Sequence, residues 1–174
     1  MLGALAAILL RGWLRNAIML VTPFIGALNL MGFEHGLFWT YEFMGYALEP
    51  VRIDKLSLMF GYLFHLASFI AIVYALHIKD TVQHVAGLAY AASAVGAVFA
   101  GDLLTLFVFW ELLALTSVFL VWARRTNRAY SSGFRYLIIQ VLSGVMLLAG
   151  LLIFAQVTGS LRFDDIGLEH GGIA

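Results

Sequence analysis

Long apolar runs separated by short polar joints dominate the chain. Residues 56–78, 85–100, 103–122 and 134–157 each reach or approach the roughly 20 mostly apolar residues that a membrane helix needs. A fifth run, residues 17–33, is interrupted by Pro23. A membrane helix tolerates such a proline when the freed carbonyl finds another partner. The first ten residues are apolar but too few to cross, and read as a clipped sixth span or an interfacial segment. A secretory leader is disfavoured, because Arg11 and Arg15 follow the apolar run instead of preceding it. The runs are too continuous for the alternating strands of an outer-membrane barrel. The pattern predicts an all-α integral membrane protein, a bundle of five to six transmembrane helices.

The joints carry helix signals. Asp54 stands before one span and Asp102, after Gly101, before another, each placed to cap a helix N-terminus. Ser131 and Ser132 precede the last span, and Pro50 favours an extended or turning chain within the long polar interval 34–55. The resulting division is residues 1–33 as N-terminal hydrophobic segments, 34–55 as an extracytoplasmic loop, 56–157 as a four-span core, and 158–174 as a tail.

Composition agrees with the pattern. The chain is 63% hydrophobic and 11% charged over 174 residues, with a mean hydropathy of +0.96. Soluble domains carry roughly 25% charged residues, so neither a soluble globular protein nor a disordered one fits. Ten basic and ten acidic residues cancel, which gives no basis for binding nucleic acid. The absence of cysteine excludes disulfides, iron–sulfur clusters and thiolate chemistry.

Charge also sets an orientation. With alternating spans, Arg11, Arg15, Lys79, Arg124, Arg125, Arg128 and Arg135 fall on one side, seven of the ten basic residues. Arg52, Lys55 and Arg162 fall on the other, with eight acids: Glu34, Glu42, Glu49, Asp54, Asp102, Asp164, Asp165 and Glu169. The positive-inside rule places the first side in the cytoplasm and the C-terminal tail outside, in a multi-pass plasma-membrane protein.

Glu111 is the charged residue deep within a span. It is the ninth residue of 103–122, about 12 Å from the outer end of a helix about 30 Å long. A charge at that depth costs at least about 2.5–3.5 kcal/mol. Two readings follow: a proton relay, neutral when dry and charged when paired, or a neutral carboxyl bonding a neighbouring helix. Neither lysine, Lys55 or Lys79, reaches mid-membrane, so a cation for Glu111 is expected from another polypeptide. His65 lies at matching depth in residues 56–78 and is the one candidate partner within the chain. His77 and His84 lie near the cytoplasmic boundary and read as interfacial. Thr105, Thr116, Ser117, Ser93, Gln140 and Ser143 read as interhelical hydrogen-bonding groups. No cofactor is expected: facing axial histidines for a haem are missing, with His65 alone well placed, and neither a phosphate-binding glycine loop nor a metal-ligand cluster occurs.

Residues 101–120, GDLLTLFVFWELLALTSVFL, resemble a signature of the antiporter-like membrane subunits. This family is shared by Mrp-type multisubunit cation/proton antiporters, their D-type subunits especially, and the proton-pumping membrane subunits of respiratory complex I. The stretches VRIDKLSLMF (51–60), FRYLIIQ (134–140) and GSL (159–161) are similar to the same family. The resemblance implies that Glu111 pairs with a lysine on a later helix and governs proton movement in a half-channel. No such helix lies within these residues, so the resemblance implies a partner membrane subunit that supplies the lysine. It implies protons, with Na⁺ or K⁺, as the moving ions, and a parent complex of antiporter, hydrogenase or NADH:quinone oxidoreductase type. The competing reading is a structural or assembly subunit without transport of its own.

Overall fold

The computed structural model describes residues 2–10, 12–43 and 45–163. Arg11 and the tail acids Asp164, Asp165 and Glu169, used above for orientation, lie outside them. The described chain is helical, in order α1 (Leu2–Leu9), α2 (Trp13–Leu30), α3 (Lys55–Ala75), α4 (Thr81–Phe99), α5 (Leu103–Trp122) and α6 (Asn127–Thr158). Helices α2 to α6 are each long and apolar enough to cross a membrane. Each packs chiefly on its neighbours in sequence, and α1 lies against both α2 and α4.

Helix α1 forms the N-terminal apolar segment. Its eight residues extend about 12 Å, less than half of the roughly 30 Å hydrocarbon layer. Gly3 sits on the Thr22 side chain midway along α2, and Ala4 and Ala7 are buried with Met19, Ile72 and Leu88. These residues are thus held within the bundle.

The polar interval is more ordered than the sequence suggested. It holds four three-residue strands: β1 (Gly36–Phe38), β2 (Tyr41–Phe43), β3 (Tyr46–Leu48) and β4 (Val51–Ile53). Strand β2 pairs antiparallel with β3, and β1 pairs antiparallel with β4 around them, so the hairpin is nested. Pro50 occupies the turn between β3 and β4.

The capping residues explain where the helices start. Asp54 accepts from Ser57 N at 2.7 Å while Ser57 Oγ accepts from Asp54 N at 2.8 Å, a complete capping box. Asp102 caps α5 by accepting from Thr105 N at 2.7 Å. Two expectations are corrected. Thr126, not Ser131 or Ser132, caps the last helix, accepting from Ala129 N at 3.1 Å. Helix α6 therefore starts at Asn127, and Arg128 and Arg135 lie on a helix instead of in a loop. Likewise α2 and α4 start at Trp13 and Thr81, four residues before the apolar runs, which moves Arg15 and His84 onto helices.

Each end of the bundle is tied by a polar group. At one end, fully buried Asp102 also accepts from the Glu49 backbone N–H and the Thr105 hydroxyl, each at 2.8 Å. Gly101 N–H donates to the Glu49 carbonyl at 3.0 Å, Leu103 N–H to the Leu161 carbonyl at 2.9 Å, and Arg162 pairs with buried Glu49 at 3.1 Å. The hairpin, the α4–α5 joint and the exit from α6 meet here. A Cβ on Gly101 would lie 2.5 Å from the Glu49 carbonyl oxygen. At the other end, Arg15 donates to Thr81 Oγ1 at 2.7 Å and Asp80 pairs with Arg125 at 3.1 Å. His84, expected at the interface, is buried with Nε2 at 2.7 Å from the Ile78 carbonyl.

Replacing Asp102 by Ala strands a buried N–H and a hydroxyl. It is expected to lower stability by about 2 kcal/mol or more, against about 1 kcal/mol for D54A at a more exposed cap. Thermal unfolding of the detergent-purified chain checks the ranking. The Ser57 backbone N–H, aided by the Ser57 hydroxyl, the Leu56 N–H and Arg52, holds the Asp54 carboxyl below its ordinary range against desolvation. The contribution of this cap is therefore complete above the ordinary carboxylate pKa and is lost as pH falls through the lowered one. Amide exchange in the first turn of α3 should accelerate across that acid interval in the native chain and lose this pH dependence in D54N.

Candidate functional site

Each seam between consecutive helices from α2 to α6 contains a glycine that receives a larger side chain from the helix opposite. Gly26 of α2 takes His65 of α3, Gly61 of α3 takes Phe99 at the end of α4, and Gly96 of α4 takes Phe109 of α5. On the α5–α6 seam, Gly133 takes Trp122 and Gly144 takes the carboxyl group of Glu111. In each case a Cβ on the glycine would collide with the guest. Small residues are what allow membrane helices to approach closely, since lipid offers no hydrophobic drive for their association.

The α5–α6 notch positions Glu111. The residue is half-buried at mid-helix, and its Oε1 is inaccessible and has no hydrogen-bond partner. Several hydroxyls elsewhere in the spans are bonded, mostly within their own helices. Ser93 donates to the Ala89 carbonyl at 2.8 Å and Thr116 to the Leu112 carbonyl at 2.7 Å. Thr105 serves the Asp102 cap. Ser117 donates to the Ala114 carbonyl at 2.6 Å and alone among these reaches another helix, lying 2.9 Å from the Tyr136 hydroxyl. The expected interhelical role is therefore corrected for most of them. Glu111 differs in holding a buried acceptor that nothing occupies.

Sequence depth paired Glu111 with His65, but the structure does not bring them together. His65 Nδ1 lies 2.7 Å from the Gly61 carbonyl and its ring is seated against Gly26. It thus faces α2, whereas Glu111 faces α6. Among the described residues, no group of three or more His, Cys, Asp or Glu side chains is arranged to hold a metal ion. The residue that sequence reasoning missed is Gly144. Its signal is a glycine in an otherwise bulky stretch, VLSGVMLL, of the helix antiparallel to α5.

Residues 100–173 match the family described as NADH:quinone oxidoreductase/Mrp antiporter, transmembrane. The chain is 32% identical over 131 residues, 71% of its length, to the putative antiporter subunit mnhA2 of Staphylococcus epidermidis. It is 29% identical over 76 residues, 44% of its length, to a Na(+)/H(+) antiporter subunit of Alkalihalophilus pseudofirmus. It spans 16% and 15% of those two proteins, about a sixth of each. In fold it is similar to a chain of the membrane-bound sulfane sulfur reductase, an archaeal respiratory membrane complex. The TM-score is 0.81 at 23% identity, covering 95% of this chain and 28% of the other. The resemblance read from residues 101–120 therefore holds.

Gly144→Ala should push the Glu111 carboxyl out of its notch and destabilise the α5–α6 seam by about 1–3 kcal/mol. In an E111A background the same substitution should cost little. Unfolding of the four chains as a double-mutant cycle reads the coupling directly.

Proposed function

We infer that this chain, an antiporter-like membrane subunit by the family of its residues 100–173, contributes a proton-relay carboxylate to a larger ion-translocating complex. The complex is a multisubunit cation/proton antiporter or a related redox-driven proton pump, and Glu111 is the relay group. One observation carries the reading: a mid-helix carboxyl with an inaccessible, unpartnered oxygen in the seam between two spans. Intramembrane ionisable residues are costly and mark ion paths by default.

The mechanism is electrostatic. A positive charge arriving near a carboxyl favours its ionised form, and departure of that charge favours the protonated one. A mobile cation thus sets when the carboxyl releases and takes up a proton. Lys55 opens α3 and Lys79 lies in the joint before α4, so the cation in this reading is a lysine beyond the described residues, which we assign to a partner membrane subunit. The chain's place in a multisubunit assembly rests on this need and on its similarity to antiporter subunits. Protons move, exchanged for Na⁺ or K⁺ in the antiporter case. The Asp80 end, with Arg15, Lys79 and the arginines of 124–135, faces the cytoplasm of the cell, and the nested hairpin faces outward.

A second reading draws on the notch itself: Glu111 as a neutral filler of the α5–α6 seam in an assembly subunit. Glu111→Gln separates the two, because it keeps shape and hydrogen bonding but cannot ionise. In proteoliposomes of the whole complex, the relay reading expects E111Q to abolish ΔpH-driven ion exchange while subunit stoichiometry is unchanged. Exchange at the native rate in E111Q would overturn it and leave the assembly reading.

A further inference from the structure

The turn from α5 to α6 carries a concentration of positive charge that the relay does not use. Arg124 and Arg128 line a cavity of about 760 Å³ together with the hydroxyl residues Thr126 and Ser132. Leu120 and Val121 of α5 form its apolar wall. The neighbouring Arg125 is drawn away: its backbone is left-handed at φ 51°, and its guanidinium pairs with Asp80. No such acid serves Arg124 or Arg128 among the described residues. Two guanidinium-bearing residues lining one cavity repel unless an anion sits between them.

The depth of the cavity identifies the anion. Helix α6 has 32 residues, about 48 Å, whereas the hydrocarbon layer is about 30 Å thick. The stretch without charged residues from Leu137 to Val157 is about 31 Å long at the helical rise and accounts for that layer. The polar start of the helix, with Arg128, Ser132 and Arg135 at successive i, i+4 and i+7 positions, is left at headgroup level. Trp122 and Tyr130 mark the same level, where aromatic residues concentrate in membrane proteins. We propose that this cavity is a binding site for the phosphodiester headgroup of an anionic phospholipid. Arg124 and Arg128 grip the phosphate oxygens, to which the planar guanidinium is suited in bidentate fashion. Ser132 donates a further hydrogen bond, and the acyl chains descend past Leu120 and Val121. Basic pockets at this level between spans recognise such headgroups.

The test uses the full chain, purified in mild detergent, exposed to mixed micelles of phosphatidylglycerol or phosphatidylcholine, and read by native mass spectrometry. At about fivefold for each arginine, phosphatidylglycerol should be retained about thirtyfold more strongly than phosphatidylcholine. R124Q/R128Q should remove that preference. Those substitutions also weaken the charge bias that orients the chain, so Ser132→Glu provides an independent variant. It places a carboxylate in the cavity with every arginine retained, and should expel the lipid, while S131E outside the cavity should not. Equal retention of the two lipids, an unchanged preference in S132E, or displacement by excess inorganic phosphate would overturn the proposal, the last by showing a free-anion site. A copurifying polypeptide in place of the lipid would overturn it as well.

Discussion

The structure depends on how closely two helices can approach when lipid gives them no reason to associate. Water drives apolar faces together in soluble proteins, but hydrocarbon is as apolar as leucine. What remains is close packing, and close packing needs a concave partner for every convex one. Gly26, Gly61, Gly96, Gly133 and Gly144 supply the concave halves, one or two per seam, and His65, Phe99, Phe109, Trp122 and Glu111 fill them. The outward faces need no such fit. Ile138, Leu142, Val145, Met146 and Ile153 of α6 are exposed, as suits apolar surroundings.

Glu111 stands out within this scheme because its partner is chosen by shape and not by charge. A phenyl ring in a glycine notch is complete, whereas a carboxyl in the same notch keeps an acceptor oxygen with nothing to accept. The packing therefore fixes where the group is while leaving one of its oxygens without a hydrogen bond.

Much of the fold could be read from the chain because membrane helices announce themselves by length and hydropathy. The spans, the caps at Asp54 and Asp102, and the turn at Pro50 follow from local chemistry alone. The helix starts at Trp13, Thr81 and Asn127 were less visible, since helices run past the apolar layer into polar sequence and hydropathy marks only the part in lipid. The nested hairpin was hidden because three-residue strands are too short for alternation to register. The pairing of His65 with Glu111 failed for a general reason. Counting residues along a helix gives depth, but azimuth depends on how each helix is rotated in its seams. His65 was at the right height and on the wrong side.

The two ends of the α5–α6 pair are not held equally. At the Asp102 end, a buried carboxylate, a backbone bond from Leu103 to Leu161 and the Glu49–Arg162 pair bind the start of one helix to the exit of the other. At the opposite end Trp122 sits in the Gly133 notch beside Phe134, Ser117 lies 2.9 Å from the Tyr136 hydroxyl, and Arg125 of the short turn leans on α4's cap. A tilt of about 5° about the Asp102 joint displaces the helices by about 1 Å at Glu111, some 12 Å along, and by more than twice that at Trp122. The seam that holds the carboxyl is thus fastened by polar bonds toward one face of the membrane and by fitted rings toward the other.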